Sequence, residues 1–275
     1  MDAAGNVKQA ITQQFSQEGV LIDLVRSCIW IFLFIFIIES VRSIYMSYKK
    51  MSGGSPWLIK DSLSGKKSLT LVQKKTEDNG GEAIKQITLK RSENEIYGAE
   101  FSYTFWMYIN DWSYKYNQWK HVFHKGNMTS WPLRAPGVWL HPTRNAMRFY
   151  MNTYSKIGDW VQVENIPVKK WFHTAIVLKQ RNLDIYINGD MVKSYKLFGL
   201  PKQNYGDVYI HRLAGYDGFT SRLRYFNYAI SYAELDKLLK QGPSPIGCSS
   251  NNDLPPYLAS SWWTNNYNPT DFADT

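Results

Sequence analysis

FSYTFWMYIND, residues 101–111, places Phe101, Tyr103, Phe105, Met107 and Ile109 at alternate positions, with Trp106 and Tyr108 between them. Successive side chains of a strand point to opposite faces, so this run is one β-strand with five large apolar groups on a single face. Leu183, Ile185 and Ile187 repeat the alternation and lead into Asn188-Gly189, a dipeptide suited to a type I′ turn; Met191 and Val192 begin the return strand. Residues 174–178 form a buried-type run, and 208–210 and 223–226 add two strands. Upstream, 68–73 and 84–89 are short β-like runs on either side of Asp78-Asn79-Gly80-Gly81, a turn signal. Short strands with turn signals and no helices between them specify an all-β, antiparallel sandwich or barrel.

One helix follows the strands. Ser231 is its N-cap, Glu234 completes a capping box, Leu235, Leu238 and Leu239 form an apolar stripe, and Gly242-Pro243 stops it. Beyond it, residues 242–275 are rich in Pro, Ser and Asn, and their only charges are Asp253, Asp271 and Asp274. They also hold Tyr257, Trp262, Trp263, Tyr267 and Phe272. Without periodicity this is an extended tail that cannot fold alone. Its aromatic groups are the expected partner-docking residues, anchors once a groove desolvates them.

At the other end, SCIWIFLFIFII (residues 27–38) is uncharged and almost wholly apolar, and Val20, Leu21, Ile22, Leu24 and Val25 extend it. Asp23 with Arg26, and Glu39 with Arg42, are i,i+3 pairs at the two ends. The expected transmembrane helix is 20–41, with Trp30, Phe32, Phe34, Phe36 and Ile37 as lipid-facing anchors. A cleaved signal peptide fits poorly, because some 26 weakly basic residues precede the apolar run and no small-residue cleavage site follows it. Residues 1–19 are an amphipathic or frayed segment. Residues 42–60 are a linker with a flexible joint at MSGGSP (51–56), 61–241 are the β-domain and 242–275 the tail. Lys8 and Arg26 lie before the uncharged run 27–38, whereas Arg42, Lys49, Lys50, Lys60, Lys66 and Lys67 follow it, which directs the β-domain to the cytosolic side of a single-pass protein. Cys28 and Cys248 both lie outside the β-domain, so no disulfide forms within it.

Several stretches carry a family resemblance: FSYTFWMYIND, WKHVFHKG (119–126), PGVWLHP (136–142), MRFYMN (147–152), NIPVKKWFHTAIVL (165–178), LDIYINGDMV (183–192) and GYDGFTSRLRYFNYAIS (215–231). Together they resemble the concanavalin A-like, laminin-G-type jelly roll, and they cover about half the chain. With GLPKQNYGDVYI (199–210) close to RYFNYAIS and a membrane anchor ahead, this version resembles minor capsid proteins of large nucleocytoplasmic DNA viruses. The resemblance implies a virion structural protein between an internal membrane and the capsid, with major and minor capsid proteins and membrane lipid as partners.

The same fold hosts β-glucanases, which need paired carboxylates on one strand as Glu-x-Asp-x-x-Glu. The chain lacks that spacing, and Asp111 is the only acid between Phe101 and Tyr150, so no enzyme is expected. A spacing of three along a strand sends His121 and His124 to opposite faces, which argues against a shared metal. His141, His173 and His211 read as structural. Asp111, Asn188 and Asp217 do not cluster as calcium ligands must, so no cofactor is expected. Trp112, Trp119, Trp131 and Trp139 lie near turns and could ring a sugar site or meet a protein partner, packing being favoured over carbohydrate. The net charge is +9, and residues 101–150 hold six Lys/Arg against Asp111. No nucleic-acid motif accompanies that charge, and no nucleic-acid partner is expected.

Overall fold

The apolar run near the N-terminus forms one uninterrupted helix, α1 (Ile22–Tyr45), in a computed structural model that describes residues 22–45, 54–73, 85–92 and 98–246. Its 24 residues reach about 36 Å, against roughly 30 Å of bilayer hydrocarbon. The helix is therefore long and apolar enough to cross a membrane, and it runs four residues past the expected end at Val41. Asp23–Arg26 and Glu39–Arg42 pair at 3.9 and 3.5 Å. The hydroxyls of Ser27 and Ser40 donate to the carbonyls of Asp23 and Phe36 one turn back, so neither is left unpaired on an apolar rod. This helix belongs to one unit, Met1–Ser52; the sandwich belongs to a second, Gly53–Thr275.

The second unit contains β1 (Ser62–Ser64), β2 (Leu69–Val72), β3 (Lys85–Gln86), β4 (Glu100–Asp111), β5 (Lys120–Gly126), β6 (Arg134–Leu140) and β7 (Ala146–Met151). It continues with β8 (Asp159–Glu164), β9 (Trp171–Lys179), β10 (Asn182–Ile187), β11 (Asp190–Lys196), β12 (Asp207–Ile210), β13 (Asp217–Phe226) and α2 (Tyr232–Lys240). They form a six-stranded sheet, β1-β13-β4-β9-β10-β11, and a seven-stranded sheet, β3-β2-β12-β5-β6-β7-β8. All pairings are antiparallel except the short β2–β3 contact. This is the expected β-sandwich.

Between the sheets, Phe101, Tyr103, Phe105, Met107 and Ile109 of β4 join Phe123, Val138, Phe149, Ile176 and Ile185 in one core. The rings of Tyr103 and Phe105 lie 5.5 and 5.4 Å from that of Phe123. The other face of β4 is covered too: Trp106 and Tyr108 pack with Trp171 and Leu239, while Leu235 of α2 closes over Val177, Phe226 and Ile230. That explains why β9 is buried at every position but its last. The Ser231 hydroxyl accepts from the Glu234 amide and the Glu234 carboxylate accepts from the Ser231 amide, so the capping box is formed. Asn188 and Gly189 both take positive φ (52° and 90°), as a type I′ hairpin needs. With α2 on one broad face, no helix among the described residues lies over the outer face of the seven-stranded sheet.

Five expectations change. Gly54–Pro56 of the joint runs along β13, the Gly54 and Pro56 carbonyls accepting from the amides of Asn227 and Tyr225. Leu58 and Ile59, assigned to the linker, are core residues. At the far boundary, Ser244 and Ile246 are tied to Ser62 and Ser221 rather than free of the domain. The run 84–89 yields only the two-residue β3, while Asp78-Asn79-Gly80-Gly81, residues 1–19 and the tail from 247 lie outside the described residues. Finally, His121 and His124 share a face. The β5–β6 register shifts between His121 and Phe123, and this bulge absorbs Val122, converting an odd spacing into a same-side pair.

Candidate functional site

Two rows of side chains cross the uncovered face. In register, Tyr209 of β12 stands beside His124, then Gly137, Tyr150 and Trp160; the next row runs His121, Trp139, Arg148, Gln162. Alternation along each strand explains why these residues face out while Val138, Phe149, Val161 and Val208 face the core.

Trp139 organises the centre. Its indole lies over Gly137, where a Cβ would come within 2.3 Å of the ring, so only glycine lets it settle on the backbone. It meets His121 (5.1 Å between centroids), His124 (5.8 Å, stacked) and Tyr150 (5.2 Å), and His124 in turn stacks on Tyr209 at 5.0 Å.

The histidine pair is wired in one direction. The Arg212 amide donates to His121 Nδ1 at 2.9 Å, so that nitrogen is an acceptor and the His121 proton sits on Nε2. His121 Nε2 then donates to His124 Nδ1 at 2.7 Å, and His124 Nε2 donates to the Asn127 carbonyl at 2.8 Å. Every ring nitrogen is engaged, leaving no lone pair for a metal or for proton abstraction. Burial pushes the His124 pKa down to about 4 and that of His121 well below the usual range, so both are neutral near pH 7. Among the described residues no group of three or more His, Cys, Asp or Glu is placed to hold a metal ion.

Around this neutral centre sit three arginines. The Arg134 guanidinium lies 3.7 Å over the Tyr150 ring, and its Nε is buried without a hydrogen-bond partner. Arg148 lies between Trp160 (4.0 Å) and Trp119 (4.5 Å) and donates twice to Gln162 Oε1, at 3.0 and 2.8 Å. Arg212 covers Tyr209 at 5.3 Å. Among the described residues none of the three forms an ion pair with a carboxylate. The face is thus aromatic, cationic and fixed by its own contacts, a surface that can bind through stacking and through charge.

Of the four tryptophans singled out from sequence, Trp119 and Trp131 flank this face and are 40% and 56% exposed. Trp139 is at its centre but only 8% exposed, so it supports the surface rather than presenting a ring at a turn. Trp112 packs against the main core beneath Lys120. The anchors Trp30, Phe32, Phe34, Phe36 and Ile37 are all exposed on α1. Tyr257, Trp262, Trp263, Tyr267 and Phe272 lie outside the described residues. Sequence reading passed over Arg134, Arg148, Tyr150, Trp160 and Tyr209. Period two does put Arg148 with Tyr150, and Trp160 with Gln162, on one face of their strands, but nothing local marks that face as the open one.

Residues 81–236 match the family described as the concanavalin A-like lectin/glucanases superfamily, of laminin-G type. Among solved structures, the botulinum neurotoxin serotype G binding domain is similar at 18% identity with a TM-score of 0.42, over 52% of this chain and 36% of that one. The serotype D ligand-binding domain, solved in complex with N-acetylneuraminic acid, is similar at 13% identity and a TM-score of 0.43, over 52% and 36%. The chain spans little more than a third of the length of these structures. No curated protein matches the sequence.

Proposed function

The chain belongs to the concanavalin A-like lectin/glucanases superfamily, and we propose that it is a non-catalytic, membrane-anchored tether, held in a bilayer by α1 and gripping a protein partner through the outer face of its seven-stranded sheet. The observation that carries the reading is the set of three arginines, each stacked on an aromatic ring and, among the described residues, none paired with a carboxylate, on the broad face opposite the one α2 covers. Such a face suits an acidic, aromatic-bearing protein surface. In its fuller form the tether is a viral minor capsid protein on the cytosolic side, joining an internal membrane to other capsid proteins, with the aromatic tail as a second contact. That setting rests on the sequence resemblance.

Glycoside cleavage is disfavoured by the placement of the acids. Asp207 and Glu164 are the acids on this face, on β12 and β8, four strand intervals or roughly 19 Å apart. A glycosidase pair stands about 5 to 10 Å apart. Asp207 is also engaged by the Gln73 amide at 2.9 Å.

Carbohydrate binding is the second reading, favoured by the exposed rings of Trp119 and Trp131. A photo-crosslinking residue in place of Trp160 in the intact assembly should capture a neighbouring protein, whereas one in place of Lys237 on α2 should not. An Arg148→Glu variant should lose the crosslink and keep its near-ultraviolet circular dichroism. Equal crosslinking from both faces, or release of the full chain from membranes by alkaline extraction, defeats the tether. A glycan array that loses signal on Trp131→Ala would replace it with the lectin reading.

A further inference from the structure

At the end of the sandwich where β4 begins and β9 ends, the loops 152–158 and 197–206 are locked together. The Tyr154 amide donates to the Leu200 carbonyl at 2.9 Å, the Lys202 amide to Asn152 at 2.8 Å, and Thr153 bridges Pro201. Gly199 sits so close that a Cβ there would lie 2.5 Å from the Ser155 hydroxyl. Beneath them the wholly buried Asp159 accepts from the Phe198 amide at 2.7 Å and from the Tyr195 hydroxyl at 2.9 Å. Arg181 donates to the carbonyls of Leu197 and Phe198, both at 2.8 Å.

This framework holds apolar side chains outward. Phe198 is 63% exposed, Leu200 57%, Tyr154 72% and Ile157 52%, although the turn between them is fixed by a buried carboxylate and a guanidinium. A rigid tip that presents large apolar groups to water is costly unless something covers them. The surrounding charge says what. Lys156, which also pairs with the buried Asp159 at 3.6 Å, lies 4.3 Å over the Phe198 ring, Lys202 lies 5.3 Å over Tyr154, and Arg181 donates to the Leu197 and Phe198 carbonyls of the tip. Loops 127–133, 152–158 and 197–206 contain no acid at all, and Asp159 is buried under them.

Apolar residues at the crest with cations just behind match the layering of an anionic bilayer surface, acyl chains beneath phosphate. The chain also enters the sandwich at this end. The Gly54 carbonyl accepts from Asn227, and Asn227 Nδ2 reaches the Arg91 carbonyl, whose own side chain bonds Gln203 of the 197–206 loop.

We infer that the Tyr154–Ile157 and Phe198–Leu200 loops form a second membrane contact, inserting at the surface of an anionic bilayer. The inference rests on reading α1 as membrane-embedded, and one experiment separates the two. In a Cys28→Ser/Cys248→Ser background, the full chain is given a single environment-sensitive fluorophore through Phe198→Cys, Tyr116→Cys or Phe34→Cys. Each is reconstituted into phosphatidylcholine vesicles containing about a third phosphatidylserine, with quenchers on the lipid chains.

The probe at Phe198 should be quenched by shallow lipid-borne quenchers, and Lys156→Glu/Lys202→Glu should reduce that quenching severalfold. The probe at Tyr116, at the opposite end of the sandwich, should stay in water. A Phe198 probe in water beside a quenched Phe34 probe overturns the inference and leaves the anchor standing; probes in water at both positions overturn both. A blue-shifted Phe198 probe that lipid quenchers do not reach means a protein covers the tip, and also overturns it. Leu200→Cys serves as the second site if Phe198→Cys alters the circular dichroism.

Discussion

Acidification from pH 7.5 to 5 should unfold the sandwich far more readily than its carboxylates alone would allow. His124, His173 and His211 are each pushed by burial to a pKa of about 4, whereas an unfolded histidine titrates near 6.5. Between those values the unfolded chain carries a proton at each site that the folded chain refuses. Stability from these groups is therefore complete above about pH 6.5 and drains away as pH falls towards 4, by up to about 1.4 kcal/mol per pH unit per histidine. At pH 5 each has withdrawn roughly 2 kcal/mol, and the three together rival much of the ~5–15 kcal/mol that holds a domain folded. His121, held below its usual range by burial and by the neighbouring His124, adds in the same direction. The assay is the urea midpoint of the full chain in mild detergent, followed by tryptophan fluorescence at half-unit pH steps. His173→Phe isolates one contributor: the ring is buried against Trp106 at 5.3 Å and its Nδ1 has no hydrogen-bond partner, so the variant should reduce the slope by about a third of the three-histidine effect. A midpoint that is flat from pH 7.5 to 5, or a slope untouched by His173→Phe, refutes the claim that these rings are held neutral by burial.

Gly137→Ala should displace Trp139, since the new methyl meets its ring at 2.3 Å; a loss of about 1–3 kcal/mol and a changed near-ultraviolet spectrum are expected in melts of purified protein. Ser231→Ala removes the acceptor for the Glu234 amide and should cost about 1 kcal/mol, read as a lowered urea midpoint with the sandwich intact. Gly189→Val, at φ 90° in the β10–β11 turn, should destabilise by about 1 kcal/mol or more, whereas Asn188→Gly should be better tolerated in the same measurement.

The acids and the arginines of the open face divide the functional readings. A hydrolase on this fold would need two carboxylates within reach of one glycosidic bond, and Asp207 and Glu164 stand at opposite sides of the cationic centre. The histidine relay reinforces the point, because a ring nitrogen already committed to a backbone group has no proton vacancy to offer a substrate. The proposed role is binding, through rings and guanidinium groups held in place by Gln162, Tyr150 and Gly137.

Local pattern alone determined β4, β9, β10 and β12, the Asn188-Gly189 hairpin, the capped helix at Ser231 and the apolar rod α1, because alternation, turn chemistry, capping and a run of lipid-soluble side chains each act within a few residues. The tertiary structure alone decided which sheet face stays open, since α2 covers one side of the six-stranded sheet through contacts far apart in sequence. It also decided that His121 and His124 meet, because a bulge is a mismatch between two strands and neither strand shows it by itself. The gathering of Arg134, Arg148, Trp160 and Tyr209 has the same origin: β12 reaches β5 from some eighty residues away, and register between distant strands is set by a shared core that no single segment contains.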